Sequence, residues 1–103
     1  MQTTILLNLP DIWERHDGYN CYNGRGATDI TQSALRIETL EECKAECSKD
    51  PECTAVIFQS SIWSCWLRKD VELSECATGY NHLALFLKTG IQVLKMLSLE
   101  IND

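Results

Sequence analysis

Residues 39–68, TLEECKAECSKDPECTAVIFQSSIWSCWLR, decide the fold that this sequence predicts. A helix is predicted from about Leu40 to Lys49, because Thr39 and Glu42 form a capping box and Pro51 follows the helix. The β-branched and aromatic residues of segment 54–60 predict a strand, and segment 64–69 predicts a second one. Since only a short connection separates them, we expect the two strands to pair antiparallel.

Two more strands are predicted outside this stretch. Residues 12–16 predict a short edge strand, and residues 82–88 (HLALFLK) alternate as a strand does. Residues 18–26 contain a tight turn at Asn23-Gly24, whereas residues 28–37 and 70–80 predict connections without regular structure. Segment 91–101 fits a strand or a helix. We therefore expect a small, disulfide-rich α+β domain over residues 12–88, with an N-terminal extension over 1–11 and a C-terminal tail over 89–103.

The composition limits the classes of function. With 103 residues the chain has room for a single small domain. Nine Lys and Arg against fifteen Asp and Glu give a net charge of −6, which argues against binding to nucleic acids or to heparin-like polyanions. No apolar run approaches the roughly 18 residues that span a bilayer, so we expect no membrane insertion.

Six cysteines in so short a chain indicate a disulfide framework and an oxidising compartment. Composition does not choose among the roughly 15 pairings that six cysteines allow. Zinc is the alternative use of the same residues, bound by four thiolates or by three with His16 or His82. The usual C-x2-C pairs are absent, so we expect neither a metal site nor a cofactor. Catalysis by a Cys–His pair would need a free thiol.

The order of helix, cysteines and strands resembles the PAN/apple domain family. The shared features are a helix carrying C-x3-C, DPEC at 50–53, an apolar strand and CWLR at 65–68. The sequence NCYNGRGA at 20–27 is similar to the segment that precedes the helix in some members, and the likeness covers about residues 13–88. The resemblance implies one helix packed across an antiparallel sheet, with bridges Cys43–Cys65 and Cys47–Cys53 between them. Apple-type members commonly have a third bridge, for which Cys21 and Cys76 remain.

Strand alternation predicts which residues face the helix. If Cys53 and Cys65 face it, then the same side carries Ala55, Ile57 and Leu67, completed by Leu83, Leu85 and Leu87. The opposite side then presents Val56, Phe58, Trp66, Arg68, His82, Phe86 and Lys88. The alternative is that segment 91–101 or the strand around Trp13 covers Phe58 and Phe86, because large open apolar patches are uncommon.

Six residues are candidates for ligand binding. They are Trp63 at the hairpin tip, Trp66, Arg68 and Phe86 on the predicted open face, and Tyr22 and Arg25 on the glycine-rich loop. Aromatic side chains beside hydrogen-bonding groups suit a sugar or a hot-spot contact with another protein.

The resemblance implies a non-catalytic extracellular module that binds a protein or a neutral carbohydrate. Since residues 1–10 lack the basic and apolar regions of a secretory signal, we expect the chain to be part of a larger secreted protein. Two other hypotheses remain. One is a structural or assembly domain of such a secreted protein, and the other is an intracellular zinc-binding protein with reduced thiols.

The oxidation state of the cysteines is directly measurable. We expect full reduction to raise the intact mass by about 6 Da, because each of three bridges takes up two hydrogens. Mass spectrometry of the denatured chain with and without reductant checks this. An unchanged mass together with bound zinc would favour the intracellular alternative.

Overall fold

The computed structural model describes residues 11–89, which form seven strands and one helix. In chain order these are β1 (Ile12–Asp17), β2 (Tyr22–Asn23), β3 (Gly26–Asp29), β4 (Leu35–Arg36), α1 (Leu40–Ser48), β5 (Ala55–Gln59), β6 (Ser64–Lys69) and β7 (Ala84–Thr89). Short 3-10 turns lie at Ser60–Ile62 and Leu73–Glu75. Most of the predicted extension and tail, and all of segment 91–101, lie outside the described residues.

Helix α1 begins at the predicted capping box. Thr39 Oγ1 accepts a hydrogen bond from the backbone N–H of Glu42 at 3.2 Å and donates one to Glu42 Oε1 at 2.9 Å. Cys43 and Cys47 lie on the buried face of the helix. Nine residues are too few for a helix to persist alone in water, so packing and the bridges of these cysteines must hold it.

The strands form one mostly antiparallel sheet in the order β1-β7-β5-β6-β3-β2, and β4 also pairs with β6. One helix on such a sheet confirms the predicted α+β class and architecture. The prediction that residues 28–37 lack regular structure was wrong in part. Within them Asp29 pairs with Arg68, and β4 pairs with the start of β6. These ladders are two residues long, too short to leave an alternating pattern in the sequence.

Strand β1 forms one edge of the sheet and pairs with β7 from Ile12 to Asp17. This confirms the predicted edge strand at 12–16 and extends it by one residue. Its side chains are mostly charged and pair locally: Arg15 Nε lies 2.6 Å from Asp17 Oδ1, and His16 Nε2 lies 2.7 Å from Glu14 Oε1. The outermost strand is therefore polar along most of its length.

Both faces of the central strand β5 are buried. On the helix side lie Val56 and Phe58 with the cysteines of α1, together with Cys65, Leu67 and Phe86. On the other side lie Ala55, Ile57 and Leu85, together with Cys21 and the half-buried Trp66. The prediction that Ala55, Ile57, Leu83, Leu85 and Leu87 face the helix was therefore wrong, as was the placement of Val56, Phe58 and Phe86 on the side away from it. The alternative that Phe58 and Phe86 are covered is confirmed in part, since both are buried and Trp13 packs against the same cluster.

The error in side assignment has a local cause at Cys53. This cysteine precedes β5, and its N–H donates to the carbonyl oxygen of Asp50 at 3.0 Å, so it belongs to the turn after the helix. The period of two does not extend from that turn into the strand. The register pairs Phe58 with Cys65, so Phe58 shares the side of that cysteine.

Three disulfides connect the layers of the domain. Cys43–Cys65 joins the helix to β6, and Cys47–Cys53 joins it to the turn before β5. On the other side of the sheet, Cys21–Cys76 joins the loop after β1 to the loop before β7. These are the two bridges that the resemblance implies, with the remaining cysteines paired to each other. The helix is therefore covalently attached to the sheet on one side, and the two loops that cover the other side are joined to each other.

Removal of each bridge should cost stability in the order of its loop length. The bonded cysteines are 6, 22 and 55 residues apart for Cys47–Cys53, Cys43–Cys65 and Cys21–Cys76. The chain-entropy relation gives about 2, 3 and 4 kcal/mol for loops of these lengths. We expect the paired Cys→Ala variants to follow this order in urea unfolding. Equal losses in all three would show that loop closure is not the main contribution.

Candidate functional site

The connection between β5 and β6 exposes two large apolar side chains. After the 3-10 turn, Trp63 adopts the left-handed conformation with φ of 53°. Its N–H donates to the Ser60 carbonyl oxygen at 3.3 Å, and its own carbonyl oxygen accepts from the Ile37 N–H at 2.8 Å. The backbone of the tip is thus fixed, while the Ile62 and Trp63 side chains are 51% and 48% exposed.

We call the surface around these residues the hairpin-tip patch. It is an open groove of about 570 Å³ lined by Ala34, Leu35, Arg36, Ser61, Ile62, Trp63 and Ser64. Arg36 is exposed and is the one charged residue of the patch. Sequence reasoning found Trp63 but missed Arg36 and Ile62. Arg36 reaches the tip only because β4 pairs with β6, where Arg36 faces Ser64.

A second groove lies on the sheet face that turns away from the helix. This Trp66 groove, of about 330 Å³, is lined by Asn20, Tyr22, Asp29, Gln32, Trp66, Arg68 and Leu83. It brings together three of the predicted ligand-binding residues, Tyr22, Trp66 and Arg68. Tyr22 and Trp66 are half-buried, and Gln32 is exposed. Asn20, Asp29 and Gln32 carried no sequence signal, because long-range pairing places them here.

Arg68 connects the segments that line the Trp66 groove. It is only 5% exposed, although we expected it on an open face. Nε donates to the Cys21 carbonyl oxygen at 2.7 Å, and Nη1 donates to the carbonyl oxygens of Thr31 and Leu67 at 2.9 and 3.1 Å. Asp29 Oδ1 lies 3.3 Å from Nε. Burial lowers the pKa of Arg68 below its ordinary value and Asp29 opposes this, so the guanidinium remains charged at neutral pH.

The remaining candidates lie apart from these grooves. Phe86 is 7% exposed and belongs to the helix-side core, where the guanidinium carbon of Arg15 lies 5.6 Å from its ring centre. Its edge contributes to a third groove, of about 840 Å³, together with Phe58 and His82. Arg25 is exposed on the predicted tight turn, where its N–H donates to the Tyr22 carbonyl oxygen at 2.7 Å. The structure therefore does not unite the six candidates in one site.

The family model of the PAN domain matches residues 14–83, well over half of the chain. The chain belongs to the PAN domain family. This confirms the resemblance that the helix and cysteine pattern carries. No curated protein and no solved structure matches the chain significantly. PAN domains are generally non-catalytic modules that bind proteins or carbohydrates, and a disulfide-rich PAN domain is typical of extracellular proteins.

The cysteines of this PAN domain are all used in structural disulfides. All six lie within residues 11–89 and all are disulfide-bonded, so none supplies a thiolate to zinc or to a nucleophilic reaction. Within the same residues, no group of three or more His, Cys, Asp or Glu side chains is arranged to hold a metal ion. No helix of that range has the length and apolar character that crossing a membrane requires.

Arg68 should be a large single contributor to the stability of this PAN domain. We expect Arg68→Met to lower the free energy of unfolding by about 3–5 kcal/mol, because it leaves the largely buried Asp29 carboxylate without its cation. Urea unfolding measures the loss. The double variant Arg68→Met with Asp29→Asn should recover part of the lost free energy of unfolding. A double variant that loses the sum of the two single losses would contradict a direct coupling.

Proposed function

We propose that this PAN domain is a non-catalytic extracellular recognition module that binds a protein partner through the hairpin-tip patch. The observation that carries the proposal is the pair Ile62 and Trp63, exposed side by side next to Arg36. Trp and Arg are the side chains most enriched among the residues that dominate binding energy at protein interfaces. The other exposed large apolar side chain among residues 11–89, Ile12, lies on the edge strand β1.

The conformation of Trp63 supports a role for its side chain. A left-handed backbone costs a non-glycine residue roughly 1–2 kcal/mol, whereas glycine adopts it freely. Trp63 nevertheless leaves about half of its side chain in solvent, where a partner can contact it. Strained residues are concentrated at functional sites, so a strained and exposed aromatic side chain supports a role in binding.

The patch also has the rigidity that recognition favours. Two backbone hydrogen bonds hold Trp63, and Cys65, two residues further on, is bonded to the helix. A surface that is already ordered loses less conformational entropy when a partner binds. The disulfide-held hairpin therefore presents the tip in one arrangement.

The charge of the patch indicates the chemistry of the partner. Arg36 is the one charged residue among those that line the patch, and it is exposed beside the apolar side chains of Ile62 and Trp63. A partner segment with an apolar or aromatic side chain next to a carboxylate would bury the apolar part against Trp63 and pair the carboxylate with Arg36. We propose such an acidic, apolar segment of a protein as the ligand.

The compartment and the boundaries are part of the same proposal. Three disulfides within so small a domain support an oxidising environment, and we propose that the domain functions in a larger secreted protein. We place the domain at residues 12–88, bounds that agree to within one residue with the start of β1 at Ile12 and the end of β7 at Thr89.

The partner chemistry can be tested with a displayed peptide library. We expect selection on the wild-type domain to enrich peptides with an apolar residue beside Asp or Glu. Trp63→Ala should lower the affinity for the enriched peptides about 30-fold or more, because it removes a hot-spot side chain. Arg36→Glu should remove the acidic preference while the apolar preference remains. Binding is measured by calorimetry or surface plasmon resonance.

Ile12→Ala is the matched control, since it removes an exposed apolar side chain from another strand. It should bind the selected peptides as the wild type does. Ile12→Ala and Arg36→Glu should each change the free energy of unfolding by no more than about 0.5 kcal/mol. Urea unfolding of Trp63→Ala establishes that this variant is folded under the conditions of the binding measurement. No enrichment, or equal binding by Trp63→Ala and the wild type, would overturn the proposal.

A further inference from the structure

The Trp66 groove contains donors and acceptors that the fold itself does not use. The side chains of Asn20, Tyr22, Gln32 and Trp66 form no hydrogen bond to another residue of the described range, although each carries a polar group. None of these polar atoms is buried without a partner, so each unpaired one is accessible. The groove thus combines two aromatic rings with open amide, hydroxyl and indole groups.

Arg68 adds a buried cation with unused donors to this groove. Its Nε and Nη1 hydrogens are directed to backbone carbonyl oxygens, while Nη2 has no acceptor among residues 11–89. A guanidinium group carries five N–H donors, two of them on Nη2. The side chain is 6% exposed and lines the groove, and no side-chain nitrogen without a partner is buried, so these two donors are accessible from the groove.

The walls of the groove are fixed in place before any ligand binds. Asn20 exchanges two backbone hydrogen bonds with Ala77, at 2.8 and 3.1 Å, and the adjacent Cys21 is bonded to Cys76. Asn23 and Asp29 exchange reciprocal hydrogen bonds between backbone N–H and side-chain oxygen, at 3.1 and 2.8 Å. Backbone segments that are already ordered lose less conformational entropy when a ligand binds.

We propose that the Trp66 groove is a second binding site, separate from the hairpin-tip patch, and that its ligand is a neutral carbohydrate. The Tyr22 and Trp66 rings offer apolar faces to the C–H groups of a sugar. The Arg68 Nη2 donors, the Asn20 and Gln32 amides and the Asp29 carboxylate match its hydroxyl groups. The one cation and the one anion of the groove, Arg68 and Asp29, form an ion pair, which favours an uncharged ligand.

The test is an array of glycans that carries neutral hexose and N-acetylhexosamine ends beside sialylated and sulfated ones. We expect the wild-type domain to bind neutral glycans, with an affinity that is unchanged between about 0.05 and 0.5 M salt, since no net charge is screened. Tyr22→Ala should lower the affinity for the bound glycan about tenfold or more, and Gln32→Ala should lower it several-fold. Gln32 is exposed and its side chain bonds to no described residue, so its variant tests the site even if Tyr22→Ala unfolds.

Trp63→Ala is the matched control, because Trp63 lines the hairpin-tip patch instead of this groove. It should bind the glycan as the wild type does. Titration followed by NMR should shift the indole N–H signal of Trp66 and leave that of Trp63 in place, with the two signals assigned from Trp→Phe variants.

Three results would overturn the carbohydrate site. They are binding to no neutral glycan, binding restricted to the acidic glycans, and binding that Tyr22→Ala and Gln32→Ala leave unchanged. None of these results affects the outcome of the peptide experiment on the hairpin-tip patch, so either proposal can fail without the other.

Discussion

The covalent attachment of one short helix to one hairpin is the constraint on which the rest of this domain depends. Helix α1 has nine residues, of which Cys43 and Cys47 are the buried ones. Its two cysteines supply what packing alone does not, since both are fully buried and each is bonded to the β5–β6 hairpin or to the turn that leads into it. With the helix fixed, Val56, Phe58 and Phe86 have a cover, and the core on that side of the sheet closes.

The opposite side of the sheet is closed by different means. Among residues 11–89 no helix covers it; instead the loops around Cys21 and Cys76 lie across Ile57 and Leu85. Arg68 fastens these loops and the segment around Asp29 to strand β6 through carbonyl acceptors and one ion pair. Because loops carry more polar groups than a helix face does, this side is where a groove with unused donors and acceptors arises.

Local signals predicted much of the architecture. The capping box at Thr39 and the break at Pro51 fixed the expected helix to within one residue of its observed end, because capping depends on neighbours in sequence. The strand at Ser64–Lys69 was predicted without error. The residues alone could not predict the disulfide pairs, which were predicted from the resemblance to the PAN/apple family. They agree with the pairs in the structure.

What the sequence could not predict depends on contacts between distant residues. The turn at Cys53 shifts the phase of β5, so the alternation gave the wrong side for Val56 and Ile57. Arg68 was expected at a surface because arginine in a strand is usually exposed. The carbonyl oxygens that bind it belong to Cys21 and Thr31, which lie 47 and 37 residues away in the sequence, so no local signal indicates them. The approach of Arg36 to Trp63 has the same origin, since a two-residue ladder places it there.

The charged outer strand has a consequence for how the molecule behaves among its own copies. An open sheet edge is a template on which further strands can add, and a flat apolar edge invites end-to-end growth into aggregates. Here β1, which is an edge strand among residues 11–89, carries Glu14, Arg15 and Asp17, and these side chains must lose hydration before another strand can approach. Within residues 11–89, the surfaces that we propose for association are therefore not this edge but the tip of the hairpin and the groove beside Trp66.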